Sequence, residues 1–212
     1  AGEQVFDTRL ISLRTEVGEG GRSDPGEFDW AAYMAPSMAI LFLMFTVTSS
    51  SRTILAEREG GTLPRILAAP TRPGQVLGGK ILGIFLIGVL QLAILAIASS
   101  LLLGLSWGGP LRAAALIAAV VFGATGWGLL LAAYARSPGQ VSVIGSALAL
   151  IFGAAAGNFV PRANMPEWLR LVSYISPNAW GLEGFADLIA GGGLPDVLPA
   201  ILALVVMGVV LF

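Results

Sequence analysis

The chain is divided by the places where charge is missing. Asp29 and Arg52 enclose 22 residues without Asp, Glu, Lys or Arg; Lys80 and Arg112 enclose 31; Arg112 and Arg136 enclose 23; Arg136 and Arg162 enclose 25. Another 16 uncharged residues follow Asp196. A helix rises about 1.5 Å per residue, so about 20 apolar residues cross a hydrocarbon layer of roughly 30 Å. The spacing predicts spans near 33–51, 81–103, 112–135, 138–157 and 196–212, the last read as a span cut short where the sequence stops. The runs are rich in Leu, Ala, Ile and Gly and lack the alternation of a transmembrane barrel. With 56% hydrophobic and 12% charged residues in 212, too few charges remain to cover a soluble domain. The fold class is therefore an all-α integral membrane protein with five spans.

Composition also excludes several chemistries. The chain has no cysteine and no histidine, which removes disulfides, thiolate ligands and the usual base and zinc ligand. A net charge of −1 gives no basic footprint for nucleic acid. No Asp, Glu, Lys or Arg falls in the interior of a predicted span, so proton relays and ion-coupled transport lack their groups. Gln91, near the middle of the second span, is the polar exception of most interest; its amide suits either an interhelical hydrogen bond or the lining of a substrate path. Gly79/Gly83 and Gly153/Gly157 are small pairs four apart and predict close helix approach. Gly74 to Lys80 spells G-x-x-x-x-G-K, but Ile81 takes the place of the hydroxyl that holds magnesium, and the string leads into a span. It is not a nucleotide loop, and any ATP hydrolysis belongs to a separate partner.

The segments between spans differ in charge. Residues 52–80 carry a net +3, residues 158–196 a net −2 and the first thirty a net −4. The positive-inside rule places 52–80 in the cytoplasm, which puts 1–30 and 158–196 outside and Arg136 and the C-terminus inside. Arg112 is the exception. Residues 11–17 alternate weakly as a strand, and the Gly-, Pro- and acid-rich stretch to Asp29 reads as a tether. Residues 1–30 are thus expected to be the tail of an extracytoplasmic domain, and an upstream span to be missing. In 158–196, Asn164 and Glu167 have capping-box spacing around Pro166, with Trp168, Leu171, Val172 and Ile175 forming an apolar face. Ser176-Pro177 ends that helix and starts another, and Trp168, Tyr174 and Trp180 suit a membrane interface. The pair is expected to dip into, or lie on, the outer leaflet. Glu183 and Asp187 share a helical face there, as an outer gate or as a solvated face.

Residues 52–80 suit either a short helix that passes motion between a soluble partner and the membrane or a loop lying on anionic lipid. Here a resemblance enters. Glu57-Arg58-Glu59-Gly60-Gly61-Thr62-Leu63, then Arg65-Ile66-Leu67, Pro70 and Gly79-Lys80-Ile81-Leu82, resembles the signature of the ABC type-2 transporter permeases. It continues through Pro36, Ser137-Pro138, Met165-Pro166-Glu167-Trp168-Leu169, Ser176-Pro177 and Trp180, and so covers most of residues 30–190. The resemblance implies a six-span subunit of which five are present, residues 31–212 forming the permease domain. It implies a coupling helix from Glu57 to Leu67 docked on an ATPase subunit, with Pro64 as a departure that shifts where that helix begins. Glu57, Arg58, Glu59, Gly60, Gly61, Thr62, Leu63 and Arg65 are the implied coupling residues. Gln91, Trp180, Glu183 and Asp187 are candidates for the pathway or an outer gate in re-entrant helices at 158–190.

The partners implied are an ABC ATPase that binds ATP and magnesium, a second permease subunit and the bilayer; this chain would hold no cofactor itself. The location implied is the inner membrane of a prokaryote. Export of a hydrophobic or amphipathic drug or lipid is the leading expectation. A non-transporting assembly or signalling component is the alternative, and an intramembrane enzyme is disfavoured because Lys80 is the sole lysine.

Overall fold

A computed structural model describes residues 29–61 and 72–212. Within them are seven α-helices and one 3₁₀ turn: α1 Trp30–Glu59, α2 Pro73–Leu103, α3 Pro110–Tyr134, α4 Pro138–Ala156, the 3₁₀ turn Arg162–Asn164, α5 Glu167–Ser173, α6 Pro177–Ile189 and α7 Leu194–Leu211. No strand occurs among the described residues. Five of the helices, α1 to α4 and α7, are long and apolar enough to cross a membrane. The weak strand expected at 11–17 lies outside the described residues.

Local sequence explains where the helices begin and end. Pro73, Pro110, Pro138 and Pro177 each open a helix, where a missing N–H costs nothing and the fixed φ is already helical. The Asp29 carboxylate accepts from Ala32 N at 3.0 Å to cap α1, and Ser137 and Ser176 cap α4 and α6 through their hydroxyls. Gly104 (φ 68°) and Gly157 (φ 98°) end α2 and α4 in the left-handed conformation, which a side chain would resist. The capping box expected at Asn164 does not form. Asn164 closes the 3₁₀ turn, Pro166 is the residue before the helix, and no side chain caps it.

The long helices run further than the charge spacing suggests. α1 continues from the expected end at 51 to Glu59, and α2 begins at Pro73 instead of 81. Thirty residues of α1 are about 45 Å long, so roughly ten lie beyond a 30 Å hydrocarbon layer. Charge marks the edge of the lipid, not the end of the helix. A single coupling helix starting at Glu57 is therefore corrected: Glu57, Arg58 and Glu59 are the last turn of α1, which stops at Gly60 and Gly61 (φ 68°).

Packing is centred on α3, which lies against α7, α1, α2 and α6; α1 fills the space between α3, α4 and α2. Ile40, Leu43, Met44 and Val47 of α1 meet Leu116, Val120, Val121 and Ala124 of α3, with Phe185 and Leu204 completing a fully buried core. Glycine sets the closest approach. A Cβ on Gly128 would stand 2.5 Å from Val47 Cγ1 and 2.6 Å from Ser51 Oγ, and one on Gly145 would stand 2.8 Å from Thr48 Cβ. Gly153 approaches Leu41 in the same way, whereas Gly157 ends α4 instead of packing a helix. Gly79 and Gly83 face open space, so the close approach expected of them is not made within the described residues.

The antiparallel spans give the bundle two ends. Where α1 ends and α2 begins, the described residues hold Arg52, Arg58, Arg72, Lys80 and Arg136 against Glu57 and Glu59. At the other end Arg112, Arg162 and Arg170 stand against Asp29, Glu167, Glu183, Asp187 and Asp196. We call these the basic and acidic ends.

Candidate functional site

At the basic end, the last turn of α1 presents Glu57, Arg58 and Glu59 on different sides of the helix, because successive residues are rotated about 100°. Glu57 turns to α2, where its carboxylate forms an ion pair with the Lys80 ammonium. Arg58 and Glu59 turn towards the α3–α4 connection. With Leu55, Tyr134 and Arg136 they line a cleft of about 570 Å³. Arg136 is held by the loop itself: its backbone N–H donates to Gln140 Oε1 at 2.7 Å. Gly60 caps α1 through N–H to Ala56 O at 2.9 Å, and Gly61 turns the chain away. Thr62, Leu63 and Arg65 lie outside the described residues. The Gly74–Lys80 string occupies the first two turns of α2, a helix and not a phosphate-cradling loop, so the residues there do not fit a nucleotide.

At the acidic end a network of side chains ties the short helices to the spans. The Tyr33 hydroxyl of α1 reaches Gly157 O and stands 3.0 Å from Val160 O beyond the end of α4. Asn158, fully buried, donates from Nδ2 to Ser37 O at 2.7 Å. Arg162 donates to Ala156 O at 3.1 Å and to Ser173 Oγ at 3.4 Å, and its guanidinium lies 5.0 Å from the Tyr174 ring centroid. Tyr174 donates to Glu183 Oε1 at 3.2 Å, and Trp180 Nε1 donates to Tyr174 O at 2.8 Å. From α5 the network takes Ser173. Trp168, Leu171, Val172 and Ile175 are all more than half exposed, an apolar face presented outward as an interfacial helix requires.

Trp180, Glu183 and Asp187 lie together at one place. With Tyr174, Asp196, Pro199 and Ala200 they enclose a space of about 180 Å³ between α6 and α7. Glu183 and Asp187 also line a larger cavity of about 490 Å³ with Tyr33, Pro36 and Arg162. Both are half-buried, and Glu183 Oε2 is buried without a hydrogen-bond partner among the described residues. Burial, reinforced by the charges of Glu183 and Asp196, raises the Asp187 carboxyl above its ordinary value. Burial also raises the Tyr174 phenol, and its bond to Glu183 adds to the effect. Gln91 is not part of this group. It is half-buried on α2, and no hydrogen bond joins its amide to another described residue, so the interhelical bond expected of it is not made there.

Sequence reasoning overlooked the residues that hold these groups in place. Lys80 was visible as the sole lysine, but its partner 23 residues away was not. Arg112 defied the charge rule for a reason found at the acidic end: its guanidinium donates to Gly192 O and holds the turn between α6 and α7. Tyr33 and Asn158 carry no sequence signal, since one polar side chain among apolar neighbours has no periodicity.

Comparison with known proteins covers nearly the whole chain. A model of a family described as ABC-2 family transporter protein matches residues 23–212. The linearmycin resistance permease protein LnrN of Bacillus subtilis (strain 168) is 27% identical over 178 residues, 84% of this chain and 46% of the relative. The inner membrane transport permease YhhJ of Escherichia coli (strain K12) is 27% identical over 202 residues, 94% of this chain and 53% of the relative. The chain thus spans about half the length of these curated relatives.

Proposed function

The chain belongs to the ABC-2 family of transporter proteins, and on that premise we propose that it is the permease subunit of an ATP-driven exporter. The substrate is a hydrophobic or amphipathic molecule moved outward. ATP and magnesium are held by a separate ATPase subunit, and a second permease subunit completes the pathway. The membrane is the inner membrane of a prokaryote, with the basic end in the cytoplasm and residues 1–30 and 158–196 outside, as the excess of Arg and Lys at that end favours.

The observation that carries this reading is the continuity of α1. One unbroken helix joins Tyr33, in the acidic-end network, to Arg58 and Glu59 on the cleft at the basic end. A packed helix moves as a body, so a displacement of its basic end is felt at Tyr33 and in the contacts Tyr33 makes. With no charged residue in the apolar interior of any span, the work comes from outside the chain, and the coupling residues Glu57 to Leu63 and Arg65 receive it. A relative named for resistance to linearmycin supports outward transport.

The test is purification of the chain with the proteins that accompany it, followed by reconstitution. An ATP-hydrolysing subunit is expected to copurify, and vesicles holding the complex should move a hydrophobic dye in one direction only when ATP is present. Copurification of an ATPase whose hydrolysis no candidate substrate stimulates, with no dye movement, would favour the non-transporting alternative.

A further inference from the structure

Two contacts between α1 and α2 do not lie at matching heights. Leu43 packs on α2 where Gly88 has no side chain; a Cβ there would stand 3.0 Å from Leu43 Cδ1. From that contact to the Glu57–Lys80 ion pair there are fourteen residues of α1 but only eight of α2. The difference is about 9 Å at 1.5 Å per residue, so the Lys80 backbone sits deeper in the membrane than that of Glu57. The direction of helical side chains closes the gap. Side chains lean towards the N-terminus of their own helix, so Lys80 reaches towards the basic end while Glu57 reaches inward to meet it. The long lysine stem lets the ammonium sit nearer the basic end than its backbone.

The pair also sits at a mechanical junction. Glu57 is two residues from the end of α1, and beyond Lys80 the first seven residues of α2, about 10 Å of helix, project past it. Those turns are exposed but for the half-buried Val76, and Gly74, Gly78 and Gly79 have no described residue within 4 Å of where a Cβ would be. Among the described residues, this projecting part of α2 meets α1 through the ion pair and at Leu77, which lines a cavity with Ile54. The side chains of Lys80 and Glu57 are 20% and 34% exposed, so solvent screens the attraction only in part.

We propose that the Glu57–Lys80 pair is a strut joining the inner ends of α1 and α2 across the base of the coupling segment, so that a push on that segment moves both helices together. This rests on the permease reading above and gives Glu57 a partner within the chain. Glu57 and Lys80 are positioning residues. They carry no substrate and set how much of the ATPase's motion reaches α2 and the α3 helix packed against it.

The experiment compares export per ATP hydrolysed in reconstituted complexes of equal folded yield. Lys80→Gln and Glu57→Gln should each lower that ratio about threefold, the size expected of one partly exposed charge pair. Lys80→Arg, and the exchanged pair Glu57→Lys with Lys80→Glu, should restore most of it. A normal ratio in Lys80→Gln, or an exchanged pair no better than either single change, overturns the strut. A second measurement needs no transport. The chain has no cysteine, so spin labels at Ala56→Cys and Gly74→Cys report the separation of the two helix ends. Lys80→Gln should broaden that distance distribution and the exchanged pair should narrow it again; an unchanged distribution refutes the proposal. Should the wild-type complex export nothing, the permease reading fails while the labels still decide the strut.

Discussion

At the scale of single residues, the acidic end is controlled by carboxyl groups taken partly out of water. Asp187 suffers burial first, then the charges of Glu183 one turn before it and Asp196 at the start of α7. A carboxyl with its pKa raised by folding binds its proton more tightly in the folded chain. Its contribution favours folding at acid pH and fades as pH rises from the ordinary value near 3.8 through the folded one. Asp187→Asn should remove this dependence. Its melting temperature in detergent is expected to exceed that of the wild type by roughly 2 °C at pH 7 and to match it near pH 4. Equal melting temperatures at both pH values would show that Asp187 stays hydrated. Helical spacing made Glu183 and Asp187 legible as a pair, but not their partners. Tyr174 lies across a turn and Asp196 on another helix, and their meeting depends on how α6 folds back.

At the scale of elements, the bundle depends on how closely α1 approaches α3. Gly128 leaves no room for a methyl group beside Val47 and Ser51. Gly128→Ala should force the helices apart and cost about 1–3 kcal/mol, as overpacked cores do. Thermal unfolding of the purified chain measures it, and Gly79→Ala, which faces open space, should melt like the wild type. The two glycines look alike in sequence. The small pair with regular spacing, Gly79/Gly83, packs nothing among the described residues, while Gly128, outside any expected pair, sets the approach. Spacing reports which residues share a face of one helix; it does not say which face another helix will cover. Helix ends show the same limit. Proline and serine starts were readable, but α1 and α2 overran their predicted ends because a helix persists into the interface once charged side chains can reach water.

At the scale of the whole molecule, the account requires five crossings with fixed sidedness. Single cysteines introduced into the cysteine-free chain test it. A membrane-impermeant maleimide should label Ala163→Cys in intact spheroplasts and Gly74→Cys only after the cytoplasmic face is opened. Both sites leave room for a side chain, Ala163 being exposed and Gly74 open. The opposite pattern would reverse the direction of transport proposed here. This scale was the most legible, because the cost of placing charge in hydrocarbon acts on every residue and leaves long charge-free runs in any order of packing.

The sequence alone determined that the chain lives in lipid, how many times it crosses, and which end carries the excess of positive charge. Each follows from solvation, which depends on residue type and local order. Only the tertiary structure decided that Glu57 faces Lys80, that Arg112 holds the turn at Gly192, and that Tyr33 and Arg162 bind the outer helices to the spans. Those pairings join residues from 6 to 127 positions apart. They arise from the crossing angles and heights at which helices settle against one another, quantities that no single helix's sequence specifies.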